Sequence, residues 1–440
     1  MTFTSTTFLW FFAAFLAVYA LVPTRFRSYV LLLGGLVFCF WNSVLGAIII
    51  LCYTVVNFLF GGLIQNGGTN KRMFAILGIG VNALSLTVFK LTGFLPVGIS
   101  FYTFACIAYL ADVYRGTIEA ERDVLKFIRY TTMFPKLLQG PITRYGEISE
   151  QLDAPRYTLR NLQSGLSTFV IGFAMKILVA DKLGFLWNDL TTIGFGNLST
   201  PLAWLGLIGY SLQIYLDWQG YTLMAVGIGK MLGFTLPQNF NYPYLARSIS
   251  DFYRRWHMTL TRWFKDYIYI PLGGNRKGQA RTIVNILLVW LLTAVWHGIG
   301  WNFLFWGLSI GLLIVLEKVW LGKRLEKLKV VPHLYVLLLI PLTWACFAIG
   351  DVAQLGAFFG RLFPFFGAAG NVNPIDFTMR LPAYLPYFIA GIVLCFPVVE
   401  NVLQRFNRNW VVSILLGGLF WWAVYELQKN GSNALMYLNF

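Results

Sequence analysis

The chain has 440 residues, 58% of them hydrophobic and only 12% charged. That is about half the charged share of an ordinary soluble chain, too little polar surface for a globule surrounded by water. The formal net charge of +16 fits Lys and Arg collected in cytoplasmic loops beside anionic headgroups, and speaks against a nucleic-acid site.

A helix crosses a bilayer with roughly 20 apolar residues. In chain order, apolar runs occur at 8–22, 30–40, 45–60, 74–89, 97–110, 165–179, 202–216, 283–295, 304–316, 334–347, 386–398 and 411–424. They predict an all-α, polytopic transmembrane helical bundle of about 10–12 spans. No small-residue cleavage site follows the first run and further spans come at once, so it reads as a retained helix. Arg25 and Arg27 follow the first run, Lys71 and Arg72 the third, and the basic stretch 115–129 the fifth. With those loops cytoplasmic, the N-terminus lies outside.

The longest polar stretches, 115–129, 144–160 and 322–329, are too short to form a core of their own. Residues 1–440 therefore read as a single membrane-embedded domain with no fixed-period repeat. Cys39, Cys52, Cys106, Cys346 and Cys395 all lie in apolar runs without CxxC spacing. They are expected to be small buried hydrophobes, not disulfides or metal ligands.

The central third departs from this grammar. From Gln238-Asn239-Phe240-Asn241-Tyr242-Pro243-Tyr244 to Arg281, charged residues alternate with Trp256, Trp263, Phe264 and Tyr267. Read as one helix from a cap near Ser248 or Ser250, the segment places Trp256, Leu260, Trp263 and Tyr267 on one face and Arg255, Thr259, Arg262 and Asp266 on another. An amphipathic helix at the cytoplasmic interface, or a re-entrant one dipping into a protein-walled cavity, satisfies that pattern. Pro271-Leu272-Gly273-Gly274-Asn275-Arg276-Lys277-Gly278 then has the residues of a basic turn.

Of three histidines, His257 and His297 stand in the most distinctive contexts. His297 closes the apolar run that begins at Ile283, and an ionisable group at membrane depth is a functional candidate. A desolvated imidazole stays neutral, as a general base must, although a histidine hydrogen-bonded within the bundle meets the same pattern. His257 reads either as a polar-face residue packed on a neighbouring helix or as a site residue. A metal is not expected, because forty positions separate the pair and no third His or carboxylate stands beside either. His333, after Pro332, has no supporting context. Among Asp112, Asp181 and Asp217, the last interrupts apolar sequence and is expected to face a polar cavity or to pair with Lys230 or an arginine of the central helix, as a structural ion pair before a catalytic group.

The run 247–274, with Arg254-Arg255-Trp256-His257 and Ile270-Pro271-Leu272-Gly273-Gly274, resembles the signature block of the membrane-bound O-acyltransferase family. The likeness is to its bacterial branch, which includes the alginate O-acetyltransferase membrane subunit and the D-alanyl transfer protein of teichoic acid. Trp296-His297-Gly298 matches the family's second histidine. Leu95-Pro96-Val97-Gly98, Gln139-Gly140-Pro141-Ile142 and Asp217 with Gly220-Tyr221 support the match, which covers a core of about 95–306 in matching order. Trp218-Gln219 departs from the small polar pair expected there and leaves the acceptor open.

The resemblance implies that His297 is the catalytic histidine, activating an acceptor hydroxyl or itself taking up the acyl group, with His257 assisting by orientation or by polarising the carbonyl. It implies that Arg254, Arg255 and Lys265 hold a phosphate-bearing donor such as acetyl-CoA, with Asp217, Trp256 and Trp296 lining the substrate site. No bound cofactor is expected. The implied partners are an extracytoplasmic SGNH-type acyltransferase and a cell-surface polysaccharide such as alginate, at a bacterial cytoplasmic membrane. D-alanyl transfer to teichoic acid is the alternative reaction. The competing classes are a transporter or translocation component, with Asp217 and the basic segment lining a pathway, and a binding subunit with a degenerate site.

Overall fold

In hydrocarbon a backbone N–H or C=O finds no water, so an apolar run must satisfy its own peptide groups and folds as a helix. The computed structural model describes residues 1–366, 372–406 and 409–432, and every regular element among them is helical. Each apolar run read from the sequence overlaps a helix. Among the described residues seven helices are long and apolar enough to span: Val44–Asn66, Gly68–Thr92, Gly278–His297, Trp301–Leu325, Val331–Ala348, Asp376–Leu394 and Trp410–Asn430. The polytopic architecture is therefore as expected, with fewer plain spans than about 10–12. The runs that account for the difference lie in helices of another kind. Thr6–Leu21 and Arg27–Asn42 have only 16 residues each. Ile99–Arg115 is buried along nearly its whole length in protein, and Leu159–Ala174 passes through a π-helical turn, Met175–Ala180, into Asp181–Ile193.

The chain forms two compact units. The first comprises Met1–Phe173, Gly220–Gln238 and Leu415–Ser432. Its N-terminal part is held by an aromatic cluster in which Phe8 packs on Phe3, Phe12, Phe38 and Phe134. Between two spans, Val44–Asn66 and Lys71–Thr92, the buried amides of Asn57 and Asn82 exchange hydrogen bonds of 3.1 and 2.8 Å. Each amide nitrogen also donates to the carbonyl four residues back, on Tyr53 and Gly78, and each amide oxygen is matched by the other asparagine. Where Leu159–Ala174 meets the end of the long helix Thr200–Met231, a Cβ on Gly165 would stand 2.6 Å from the Gly227 carbonyl oxygen, and one on Gly227 would stand 2.7 Å from that of Gly165. Backbone meets backbone there, so only glycine fits.

The second unit contains Ala174–Gln219 and Asn239–Ile414. Its antiparallel pair Gly278–His297 and Trp301–Leu316 packs side by side, with Val331–Ala348 against the latter. Asp376 accepts hydrogen bonds from the Ser199 N–H at 2.9 Å and hydroxyl at 2.5 Å, and Arg380 pairs with Asp189 at 2.6 Å.

Two expectations are corrected. The central segment is not one amphipathic helix but two short ones, Ile249–Arg255 and Met258–Phe264, followed by a π-helical turn Lys265–Tyr269. The break falls at His257, whose φ of 43° is left-handed and cannot continue a right-handed helix. Of the five cysteines, Cys39, Cys106 and Cys395 are buried, Cys346 is half-buried and Cys52 is exposed. On a span whose outer face meets lipid, a small apolar thiol needs no burial in protein.

The glycine crossing is testable. Gly227→Leu must force two backbones apart and should cost at least about 3 kcal/mol, read as loss of monodisperse protein in detergent. Gly417→Leu, where a side chain meets open space, should leave the elution profile and unfolding temperature unchanged.

Candidate active site

The His297 helix, Gly278–His297, has 20 residues, a length of about 30 Å at 1.5 Å per residue, close to the thickness of a hydrocarbon core. It begins at the basic turn, where Gly273, Gly274 and Gly278 adopt positive φ, and ends on the histidine. His297 is thus a bilayer thickness along the helix from that turn. The return helix approaches closely: a Cβ on Gly307 would stand 2.9 Å from the Trp290 carbonyl and 2.7 Å from Ala294 Cβ. This contact brings Trp306 against the histidine. His297 is 4% exposed, with ring centroids of Trp296 at 4.5 Å, Trp306 at 4.8 Å and Phe347 at 5.3 Å. Asn302 donates to the Phe347 carbonyl at 3.1 Å and fixes the end of the third wall. The imidazole therefore lies in an aromatic pocket at a helix end.

His257 is built differently. Strand-like backbone pairing brings residues 239–241 against 255–258: Asn241 N–H donates to the Arg255 carbonyl at 2.9 Å and Met258 N–H to that of Asn239 at 2.8 Å. The fully buried Asn239 then places Oδ1 2.9 Å from His257 Nδ1, and the same oxygen accepts from the Thr259 hydroxyl at 2.9 Å and the Thr259 N–H at 3.3 Å. An atom facing a backbone N–H must be the amide oxygen, so His257 Nδ1 carries the hydrogen and Nε2 the lone pair. Nε2 is buried and has no hydrogen-bond partner among the described residues. The ring lies edge to face on Trp218 with centroids 4.3 Å apart. The large residue that departs from the expected small polar pair thus has a place, as a wall for this imidazole. His257 stands outside the spanning helices, and burial pushes its pKa from the ordinary 6.5 down to about 3.

The two histidines flank one aromatic cluster. His297 touches Trp306; Trp306 stacks on Trp344 at 6.1 Å; Trp344 meets Trp256 at 5.0 Å; Trp256 meets Trp218 at 6.0 Å; and Trp218 meets His257. Trp256 is a buried member of this cluster, whereas Trp296 is half-buried beside His297.

The basic candidates are placed unequally. Arg254 has a side chain 72% exposed, and Lys265 is exposed. Arg255 is half-buried and ion-paired with Asp251 at 3.0 Å. Asp217 pairs with Lys176, at 2.6 Å, which also binds Asp181 at 2.5 Å, while Lys230 reaches Thr168 at 3.4 Å. All three groups are buried, and one ammonium between two carboxylates serves both at once. His333 lies half-buried in the first turn of Val331–Ala348.

Several site residues escaped the sequence. Glu317, buried in a π-helical turn, accepts from Ile249 N–H at 2.5 Å and from Ser250 N–H and hydroxyl at 3.0 and 2.6 Å, closing the start of the helix that leads to His257. Nothing local marks a capping group some seventy positions away. Trp306, Trp344 and Phe347 sit in plain apolar runs and look like any lipid-facing aromatic. Asn239 was visible only as part of the polar run before Tyr242.

The family model for MBOAT, the membrane-bound O-acyltransferase family, matches residues 119–349, a stretch that contains both histidines. The probable alginate O-acetylase AlgI of Pseudomonas fluorescens is 34% identical over 378 residues, covering 83% of this chain and 76% of that protein. The peptidoglycan O-acetyltransferase of Helicobacter pylori is 32% identical over 361 residues, covering 69% of this chain and 67% of that protein. The teichoic acid D-alanyltransferase of Bacillus subtilis is 27% identical over 231 residues, covering 50% and 58%. The chain belongs to the membrane-bound O-acyltransferase family. It is a multi-pass membrane O-acyltransferase.

Two measurements test this geometry. Nitrogen-15 spectra of labelled protein should show His257 as the neutral, Nδ1-protonated tautomer down to about pH 4, and Asn239→Ala should yield mixed tautomers. Because the unfolded chain binds the His257 proton below 6.5 and the folded one only near 3, this group's contribution to stability is constant above pH 6.5 and declines as pH falls from there towards 3. Glu317→Ala leaves three donors without their acceptor and should lower stability by about 3 kcal/mol, read from unfolding in detergent.

Proposed function

We propose that this enzyme takes an acyl group, most simply acetyl, from a cytoplasmic thioester such as acetyl-CoA and delivers it across the membrane for O-acylation of an extracytoplasmic polysaccharide such as alginate. The observation that carries this reading is similarity: the O-acetylating relatives are 32–34% identical over 69–83% of the chain, the D-alanyltransferases 27% over 50–61%. The membrane is the bacterial cytoplasmic one, with the basic turns on the cytoplasmic side, and an extracytoplasmic SGNH-type acyltransferase completes transfer to the polymer.

In this reading His297 acts as the base. It accepts the proton of the acceptor hydroxyl as that oxygen attacks the thioester carbonyl; the carbon–sulfur bond then breaks, and the thiolate leaves with the proton returned by the imidazolium. The aromatic pocket supports the role, since it withholds water from the reacting imidazole. His257, with Nδ1–H given to Asn239, has an accepting Nε2. Such a ring orients a hydroxyl or thiol by accepting its hydrogen; it does not polarise a carbonyl oxygen, which needs a donor. The exposed Arg254 and Lys265 suit a phosphate-bearing donor. Asp251 pairs closely with Arg255, at 3.0 Å, and more loosely with the exposed Arg254, at 3.8 Å, and Asp217 and Trp256 support the site through Lys176 and the ring cluster.

Thioester consumption by the purified protein in lipid tests the proposal, with labelled acetyl-CoA and D-alanyl carrier protein side by side. Turnover with acetyl-CoA should fall at least about 100-fold in His297→Ala, and Arg254→Ala with Lys265→Ala should raise KM more than it lowers kcat. Polymer movement without thioester consumption would instead mark a transporter.

A further inference from the structure

Far along the sequence from either histidine, the first unit holds a buried cation that the acyl-transfer reading leaves unused. Lys136 lies in the four-residue helix Phe134–Leu137 and is 6% exposed. Its ammonium stands 3.3 Å from the centroid of the Tyr130 ring, and burial without a counter-charge pushes its pKa down to about 7. No carboxylate pairs with it among the described residues. By contrast, the buried Lys176 has two.

Lys136 borders a small cavity lined also by Phe101, Tyr102, Thr131, Ile142 and Thr143. The hydroxyls of the two threonines are already spent: Thr131 on Thr54 and the Phe127 carbonyl, Thr143 on the Pro141 carbonyl. Tyr102 is 3% exposed, and its hydroxyl has no hydrogen-bond partner. The wall therefore offers an ammonium and a phenol, both donors, and no negative side chain. An uncompensated buried charge is costly, and a ligand that lowers the cost must accept hydrogen bonds and carry negative charge. The enclosed part of the space is small, which limits the ligand to a single small ion.

We propose that this cavity binds a small monovalent anion of halide size, which serves as the counter-charge of Lys136. The site is separate from the acyl-transfer chemistry and stands or falls without it.

The test uses the full-length protein in detergent at fixed pH and ionic strength, with sodium gluconate replaced stepwise by sodium bromide. The unfolding temperature should rise saturably by about 3 °C. Lys136→Met should abolish the response, and Tyr102→Phe should weaken it, shifting the midpoint to higher bromide. Bromide-soaked crystals should give an anomalous peak beside Lys136 Nζ. If Lys136→Met does not fold, the Tyr102→Phe titration and the anomalous peak decide. A flat wild-type titration, an equal response in the variants, or peaks confined to the surface (an adventitious ion only) would overturn the proposal.

Discussion

A polar group sealed from water is costly without a partner, and much of the arrangement of this molecule follows from how its buried charges and amides are matched. In the second unit, Lys176 satisfies Asp181 and Asp217; Glu317 satisfies three donors at the start of the His257 segment; and one oxygen of Asn239 serves His257 and Thr259. Each is a long-range pairing that ties distant stretches of chain together. Leaving any one of these groups unmatched would cost more than a typical single contact contributes.

The break at His257 shows what this network supports. A non-glycine residue in the left-handed region costs of order 1–2 kcal/mol, and the backbone pairing of 239–241 with 255–258, the Asn239 hub and the Trp218 wall all act to hold it. The return is directional. In a continuous helix His257 would share a face with its neighbours three and four positions away, whereas here its ring turns into the tryptophan cluster on whose other side His297 sits. Strain kept at a candidate site and compensated around it is the pattern expected where a side chain must be aimed.

The helical, membrane-embedded architecture was legible because hydrocarbon imposes a simple rule on apolar runs. The place of His297 at a helix end was legible because the apolar run from Ile283 closes on it. The broken central segment was not, since periodicity from Trp256 to Tyr267 suits an uninterrupted helix and nothing nearby announces a left-handed histidine. That Asp217 joins a structural ion pair was legible from an acid interrupting apolar sequence, but not that its partner is Lys176, which lies 41 positions upstream within an apolar run. Capping of Ile249–Arg255 by Glu317 belongs to the same class, a contact made by folding and unseen by any local pattern.

The reciprocal amides of Asn57 and Asn82 have a bearing on biogenesis. Only residues 67–70 separate Val44–Asn66 from Lys71–Thr92, so the two emerge from the ribosome in quick succession. Taken singly, each helix would carry an unmatched carboxamide oxygen into the lipid, its nitrogen already donating to the carbonyl four residues back; taken as a hairpin, the pair enters with both oxygens matched. Lateral release from the translocation channel is then easier for the couple than for either helix alone, and an Asn57→Leu chain would lose that coupling while becoming more apolar.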